Sequence, residues 1–144
     1  MIRVHASCVA LRDTGVLLRG PSGAGKSDLA LRLIDGGAAL VADDYVELTR
    51  HGERVVATAP ASITGLIEVR ALGVFSLPVR FSAEIGLIVD LVAADAVERL
   101  PEPTVETILG CTIERVGLCP WEPSAAAKVR LAVQAVTRDI RRLS

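Results

Sequence analysis

Aromatic side chains are scarce, at 3% of 144 residues with Trp121 the single tryptophan, so the chain lacks the stacking platforms of a single-strand nucleic-acid binder. Neither sign of charge prevails: 16 basic against 17 acidic residues leave a net charge of -1, and no basic field gathers nucleic acid or anionic lipid. The three cysteines, Cys8, Cys111 and Cys119, are odd in number and widely spaced. That spacing argues against a disulfide framework and a structural zinc site, and fits a reducing, cytoplasmic setting. No apolar run approaches the roughly 18 uncharged residues of a membrane span. Arg3 and His5 stand where a signal peptide would carry its apolar core. Neither a nucleic-acid partner nor a membrane is expected.

Apolar residues are plentiful, at 51%, enough for one compact domain over residues 1–144 with a substantial core. A mean hydropathy of +0.45 is high for so short a soluble chain, and predicts a homo-oligomer whose subunits cover part of one another's surface.

Along the chain, 2–10 and 15–19 read as two strands joined by a turn at Arg12-Asp13-Thr14-Gly15. Residues 27–36 place Leu29, Leu33 and Ile34 on one helical face, and Gly36-Gly37 supply a stop. Strands are expected at 39–42, 45–49 and 53–58, with short ones at 67–69 and 74–77. The apolar run 85–92 reads as a buried central strand. Residues 104–119 carry no clear period. Residues 124–143 read as an amphipathic helix with Val129, Ala132, Val133, Val136, Ile140 and Leu143 on one stripe, a candidate oligomer surface.

Between the second strand and the first helix lies Gly20-Pro21-Ser22-Gly23-Ala24-Gly25-Lys26-Ser27, which matches GxxxxGK[ST] in full. Glycines let backbone N–H groups wrap a phosphate chain, Lys26 reaches its terminal phosphates, and the Ser27 hydroxyl suits Mg²⁺. Strand, glycine loop and helix come in the order such a loop requires, so the pattern implies ATP and Mg²⁺ as cofactors. A carboxylate must also hold the metal or take the nucleophile's proton, and Asp43-Asp44 closes an apolar strand. Two adjacent carboxylates on a strand face apart, so the pair divides these tasks. Glu68 and Arg70 project to one side if their stretch is extended, toward the phosphates or as a surface ion pair. By pattern alone His5 is a hydrogen-bonded structural histidine, His51 a solvated turn residue, and Arg99 one exposed arginine among several.

Taken together, His5, the GPSGAGKS loop, LVADD (Leu40–Asp44) and IEVRALGVF (Ile67–Phe75) resemble the catalytic, C-terminal domain of the bacterial HPr kinase/phosphorylase family. A shorter echo, VERLPEPTVETILGCTI, spans Val97–Ile113. The resemblance implies an α/β fold, a P-loop core with a largely β surround of the HPr kinase/PEP carboxykinase kind. It also implies a hexamer, and transfer of the ATP γ-phosphoryl to a serine of an HPr-like phosphocarrier protein. By matching position, Asp44 is the base, Lys26 steadies the phosphates, Ser27 and Glu68 hold Mg²⁺, His5 supports the site and Arg99 stabilises the transferring charge.

Several positions depart from the family pattern. By this resemblance the usual N-terminal domain is expected to be absent, Ala71 stands where the family has glycine, and the basic loop between Val79 and Ile85 is reduced to RFSAE. LCPWEPSA replaces a PGRN-like stretch near Leu118–Ala125, which puts the reverse, phosphorylase reaction in question. The short form resembles α-proteobacterial versions. A small-molecule P-loop kinase and a non-catalytic, nucleotide-responsive regulator are the competing readings.

Overall fold

The computed structural model describes residues 1–143. Its strands are β1 (Ile2–Leu11), β2 (Thr14–Arg19), β3 (Ala39–Ala42), β4 (Tyr45–His51), β5 (Arg54–Thr58), β6 (Leu66–Val69), β7 (Gly73–Ser76), β8 (Ala83–Leu91), β9 (Thr104–Ile108) and β10 (Cys111–Leu118). Two α-helices, α1 (Lys26–Asp35) and α2 (Ala125–Val136), accompany them.

Alternation of apolar side chains sets the layers. Along β1, Ala6, Cys8 and Ala10 enter one core and Val9 another; on β2, Leu17 parts from Val16 and Leu18 in the same way. The first core lies inside a curl of sheet, because β1 pairs β2 and β4, β4 pairs β5, and β8 pairs both β5 and β2. The second core lies under α1 and α2, where Leu29, Leu33 and Val129 are fully buried. Truncating Leu33 to Ala would cost roughly 2–5 kcal/mol.

Strand β8 also serves both cores, and a bulge switches which of its faces meets which core. Gly15 pairs Ile85 but Val16 pairs Leu87, so Gly86 is the extra residue. Ile85 faces the first core and Leu87 the second, which an unbroken strand could not arrange. A Cβ on Gly86 would stand 2.7 Å from Thr14 Cγ2, so the bulge admits only glycine without a shift.

Helix α1 buries Leu29, Ala30 and Leu33, and pairs Asp28 with Arg32 one turn on. It ends where Gly37 turns left-handed, φ 111°, while Ala38 N–H donates to the Leu33 carbonyl and Gly37 N–H to that of Ile34.

Helix α2 is shorter than its periodicity predicts. The helix ends at Val136, where Arg138 adopts φ 64° and the amides of Arg138 and Asp139 close on the carbonyls of Ala135 and Gln134. Thr137 Oγ1 donates to the Val133 carbonyl at the same end. Ile140 and Leu143 therefore fall outside the helix. The rest of the expected stripe packs on the domain's own core, with Val129 and Val133 buried and Ala132 and Val136 against them, so it is not a free oligomer face. The stretch 104–119 resolves into the antiparallel hairpin β9–β10.

Candidate active site

Strand β2 delivers the chain to residues 20–25, a loop that turns directly into α1. Gly23 and Gly25 have φ of 80° and 99°, which side-chain-bearing residues rarely adopt. No side chain caps the first turn of α1, so its N–H groups open toward the loop and suit an anion. Lys26 is buried and folded back: its Nζ donates to the carbonyls of Gly20 at 2.5 Å and Pro21 at 3.0 Å.

Strands β3 and β4 both pair with β1, and the break between them is Asp43-Asp44. Asp44 takes φ 72°, a conformation aspartate tolerates better than most residues. This kink parts the two carboxylates. Asp43 is buried, and its Oδ1 accepts from Ser7 Oγ at 2.7 Å and Ser27 Oγ at 2.8 Å. Asp44 faces outward, its Oδ1 2.9 Å from His5 Nε2. The His5 ring also tilts against Tyr45, centroids 5.3 Å apart.

One cleft of about 430 Å³ includes His5, Lys26, Ser27, Asp44, Glu68 and Trp121 in its lining, and the buried Asp43 meets it through Ser27. Glu68 comes from β6, which pairs only with β7, and Arg70 from the turn that follows. Both line the cleft, and no ion pair joins them among the described residues. Arg99 is exposed in the segment after the short turn Ala94–Ala96 and is not among the lining residues.

Beneath the loop, Arg19 grips two carboxylates. It donates to both Glu106 oxygens, at 2.6 and 2.7 Å, and to both Asp90 oxygens, at 2.8 and 3.1 Å. Arg115 adds a 3.1 Å bond to Glu106. The Arg19 guanidinium holds the Glu106 carboxyl at about 2, with Arg115 assisting. Since Gly20 follows Arg19 directly, this network fixes where the loop begins.

The family model for the HPr Serine kinase C-terminal domain matches residues 1–141. The chain belongs to this family. The HPr kinase/phosphorylase of Bordetella pertussis is 38% identical over 148 residues, covering 94% of this chain and 47% of that protein. That of Alkaliphilus metalliredigens is 33% identical over 152 residues, covering 97% and 48%. The chain thus spans about half the length of these relatives. The mixed α/β fold resembles the solved "Hpr(Ser) kinase/phosphatase from Coxiella burnetii", with a TM-score of 0.79 and 26% identity over 96% of this chain and 90% of that one.

Of the residues singled out from the sequence, the fold gathers His5, Lys26, Ser27, Asp44 and Glu68 with Ser22, Gly23 and Gly25 in one cleft. Gly20, Pro21 and Ala24 complete the loop, and Arg99 stands apart. Sequence reasoning missed Ser7, which lies inside β1 and carries no motif, and the site role of Trp121. The three cysteines are free and buried, and burial pushes the Cys8 thiol up to about 12. No helix among the described residues is long and apolar enough to cross a membrane.

Proposed function

We propose that this chain is a P-loop, Mg-ATP-dependent serine kinase domain acting on an HPr-like phosphocarrier protein. The observation that carries the reading is one cleft lined by a glycine loop with an uncapped helix start, by Ser27, whose hydroxyl the buried Asp43 holds, and by the Asp44–His5 pair. Phosphoryl transfer asks mainly for positioning and charge neutralisation, and these groups supply both.

The donor set fits Mg²⁺. Among the described residues no cluster of three or more acidic, His or Cys side chains could hold a metal alone. Magnesium needs no such cage, since it takes one or two carboxylates and completes its shell with phosphate oxygens and water. Ser27, with Glu68 across the cleft, would hold it, and Asp43 orients the Ser27 hydroxyl. Bound there, the ion supplies charge neutralisation on the phosphates.

Asp44 takes the proton of the attacking seryl hydroxyl as its oxygen bonds to the γ-phosphorus and ADP departs. His5 holds that carboxylate in place. Lys26 leaves its two loop carbonyls to meet the terminal phosphates. Arg99, outside the cleft of a single subunit, would reach the transferring group only by movement of its segment or from a neighbouring subunit. Leu72, Val74 and Phe81 remain broadly exposed and give an oligomer, a hexamer by resemblance, apolar area to bury. Leu118–Ala125 contains no arginine, so the reverse reaction, which must hold inorganic phosphate beside phosphoserine, is weak or absent. In this reading the chain is of the α-proteobacterial kind.

The test is incubation with labelled ATP, Mg²⁺ and an HPr-like carrier, followed by mapping of the labelled residue. Phosphoserine on the carrier is expected. Nucleotide binding without any transfer would instead indicate a regulator, and label on a small acceptor a metabolite kinase.

A further inference from the structure

The segment Cys119–Ser124 crosses the open side of the glycine loop and presents Trp121 to the cleft. A Cβ placed on Gly25 would stand 3.1 Å from both Cζ2 and Cη2 of the indole, so the benzo edge of Trp121 rests on the loop. Trp121 is nevertheless 61% exposed, far too open for a core residue. Its backbone is fixed from both sides. Arg32 of α1 donates to the carbonyls of Pro120 and Glu122, the residues flanking Trp121, and Glu122 is also paired to Lys128 at 2.8 Å. Cys119, which opens the segment, and Ala125, which follows it at the start of α2, are buried. An exposed aromatic held this firmly, by the helix that opens at Lys26, keeps a set position relative to the cradle.

A nucleotide anchored by its phosphates must lay its base against something within a nucleoside's length of the loop. Three flat side chains line the cleft: His5, Arg70 and Trp121. His5 is engaged by Asp44 and Tyr45, and Arg70 is a cation on a turn of the separate β6–β7 hairpin. Trp121 is the aromatic ring of the lining that is not engaged by another side chain, and it touches the loop itself. We infer that Trp121 is the nucleobase platform of this site, stacking the base of the nucleotide whose phosphates occupy the 20–27 loop. The inference rests on the nucleotide-binding reading above, and assigns a base-recognition role to the segment that departs from the family pattern.

The experiment separates base from phosphate by using ATP and tripolyphosphate, which has the phosphate chain without a base. Calorimetric titrations of the full chain with each, in Mg²⁺, are run on the parent, Trp121→Ala and Trp121→Phe. Trp121→Ala is expected to weaken ATP binding on the order of tenfold, a size typical of losing one base-aromatic stack, with tripolyphosphate unchanged. Trp121→Phe should keep most of the ATP affinity. In the parent, ATP should perturb the emission of the single tryptophan and tripolyphosphate should perturb it far less. Equal weakening of both ligands in Trp121→Ala would overturn the inference in favour of a residue that merely shapes the loop. Unchanged ATP affinity with a raised KM for the carrier would assign Trp121 to carrier docking instead. If the parent binds neither ligand, the nucleotide reading itself fails and the platform falls with it.

Discussion

The Ser27 hydroxyl is tethered to a buried carboxylate: its Oγ donates to Asp43 Oδ1 at 2.8 Å, on the same oxygen that accepts from Ser7. Asp43 thereby sets the direction in which Ser27 offers its lone pairs. Asp43→Asn keeps the size and removes the charge, so the Mg²⁺ concentration for half-maximal activity should rise on the order of tenfold or more. Ser7→Ala should cost about 1 kcal/mol of stability, the net worth of one hydrogen bond, with little change in that concentration. Magnesium titrations and thermal melts of both variants check this. A Ser7 variant as impaired in magnesium use as the Asp43 variant would show that the two hydroxyls act as one unit.

On the proposed reading, Asp44 separates binding from chemistry. Asp44→Asn leaves the loop untouched and should bind ATP as the parent does, while carrier phosphorylation falls by roughly 10²- to 10⁴-fold. His5→Ala should lose less, since it removes only the group that orients Asp44. Single-turnover rates alongside binding constants decide the matter, and loss of ATP affinity in Asp44→Asn would move that residue to the nucleotide site.

The Arg19 network predicts an acid limit. Glu106 is lowered from an ordinary value of 4.5 to about 2, so the stability it contributes is complete above about pH 4.5 and drains away as pH falls toward 2. Glu106→Gln should be less stable than the parent at pH 7, by on the order of 1–2 kcal/mol given that the side chain is partly open to water. The gap should then narrow between pH 4.5 and 2. Urea melts at several pH values follow it, and a gap that stays constant into acid would mean the pair is not coupled to protonation.

Ala71 sits at φ 76° in the turn between β6 and β7, where the Leu72 N–H closes on the Val69 carbonyl. This conformation favours glycine, because an L side chain there strains against its own backbone. Ala71→Gly should raise stability by about 0.5–1 kcal/mol, net of the greater entropy glycine has when unfolded. A lowered melting temperature would contradict the strain argument.

Much of this architecture is readable from local pattern. The loop announces itself through GPSGAGKS, and ALVA followed by two aspartates marks a strand end whose carboxylates do face apart. The β9–β10 hairpin hides because its turn is Leu109-Gly110, φ 51° and 81°, where a two-residue turn of this kind ordinarily shows Asn-Gly. The end of α2 hides for the same reason, an arginine standing where glycine usually marks a left-handed stop. Ser7, Arg19 and Trp121 were beyond reach on other grounds. Their partners are 36, 71 and 96 residues away in Asp43, Asp90 and Gly25, and only the pairing of β1 with β3 and of β8 with β2 and β10 brings them together.

Glu68 stands on the hairpin β6–β7, whose strands, among the described residues, pair only with each other and which has one fully buried side chain, Ile67. A two-stranded unit is marginal by itself, so it can part from the body without disturbing any strand of the main sheet. Its amides should exchange with deuterated water well before those of β1, β2 and β8. The acidic wall of the cleft then behaves as a population instead of a fixed surface, and the free energy of holding it shut is subtracted from the affinity for anything Glu68 helps to bind.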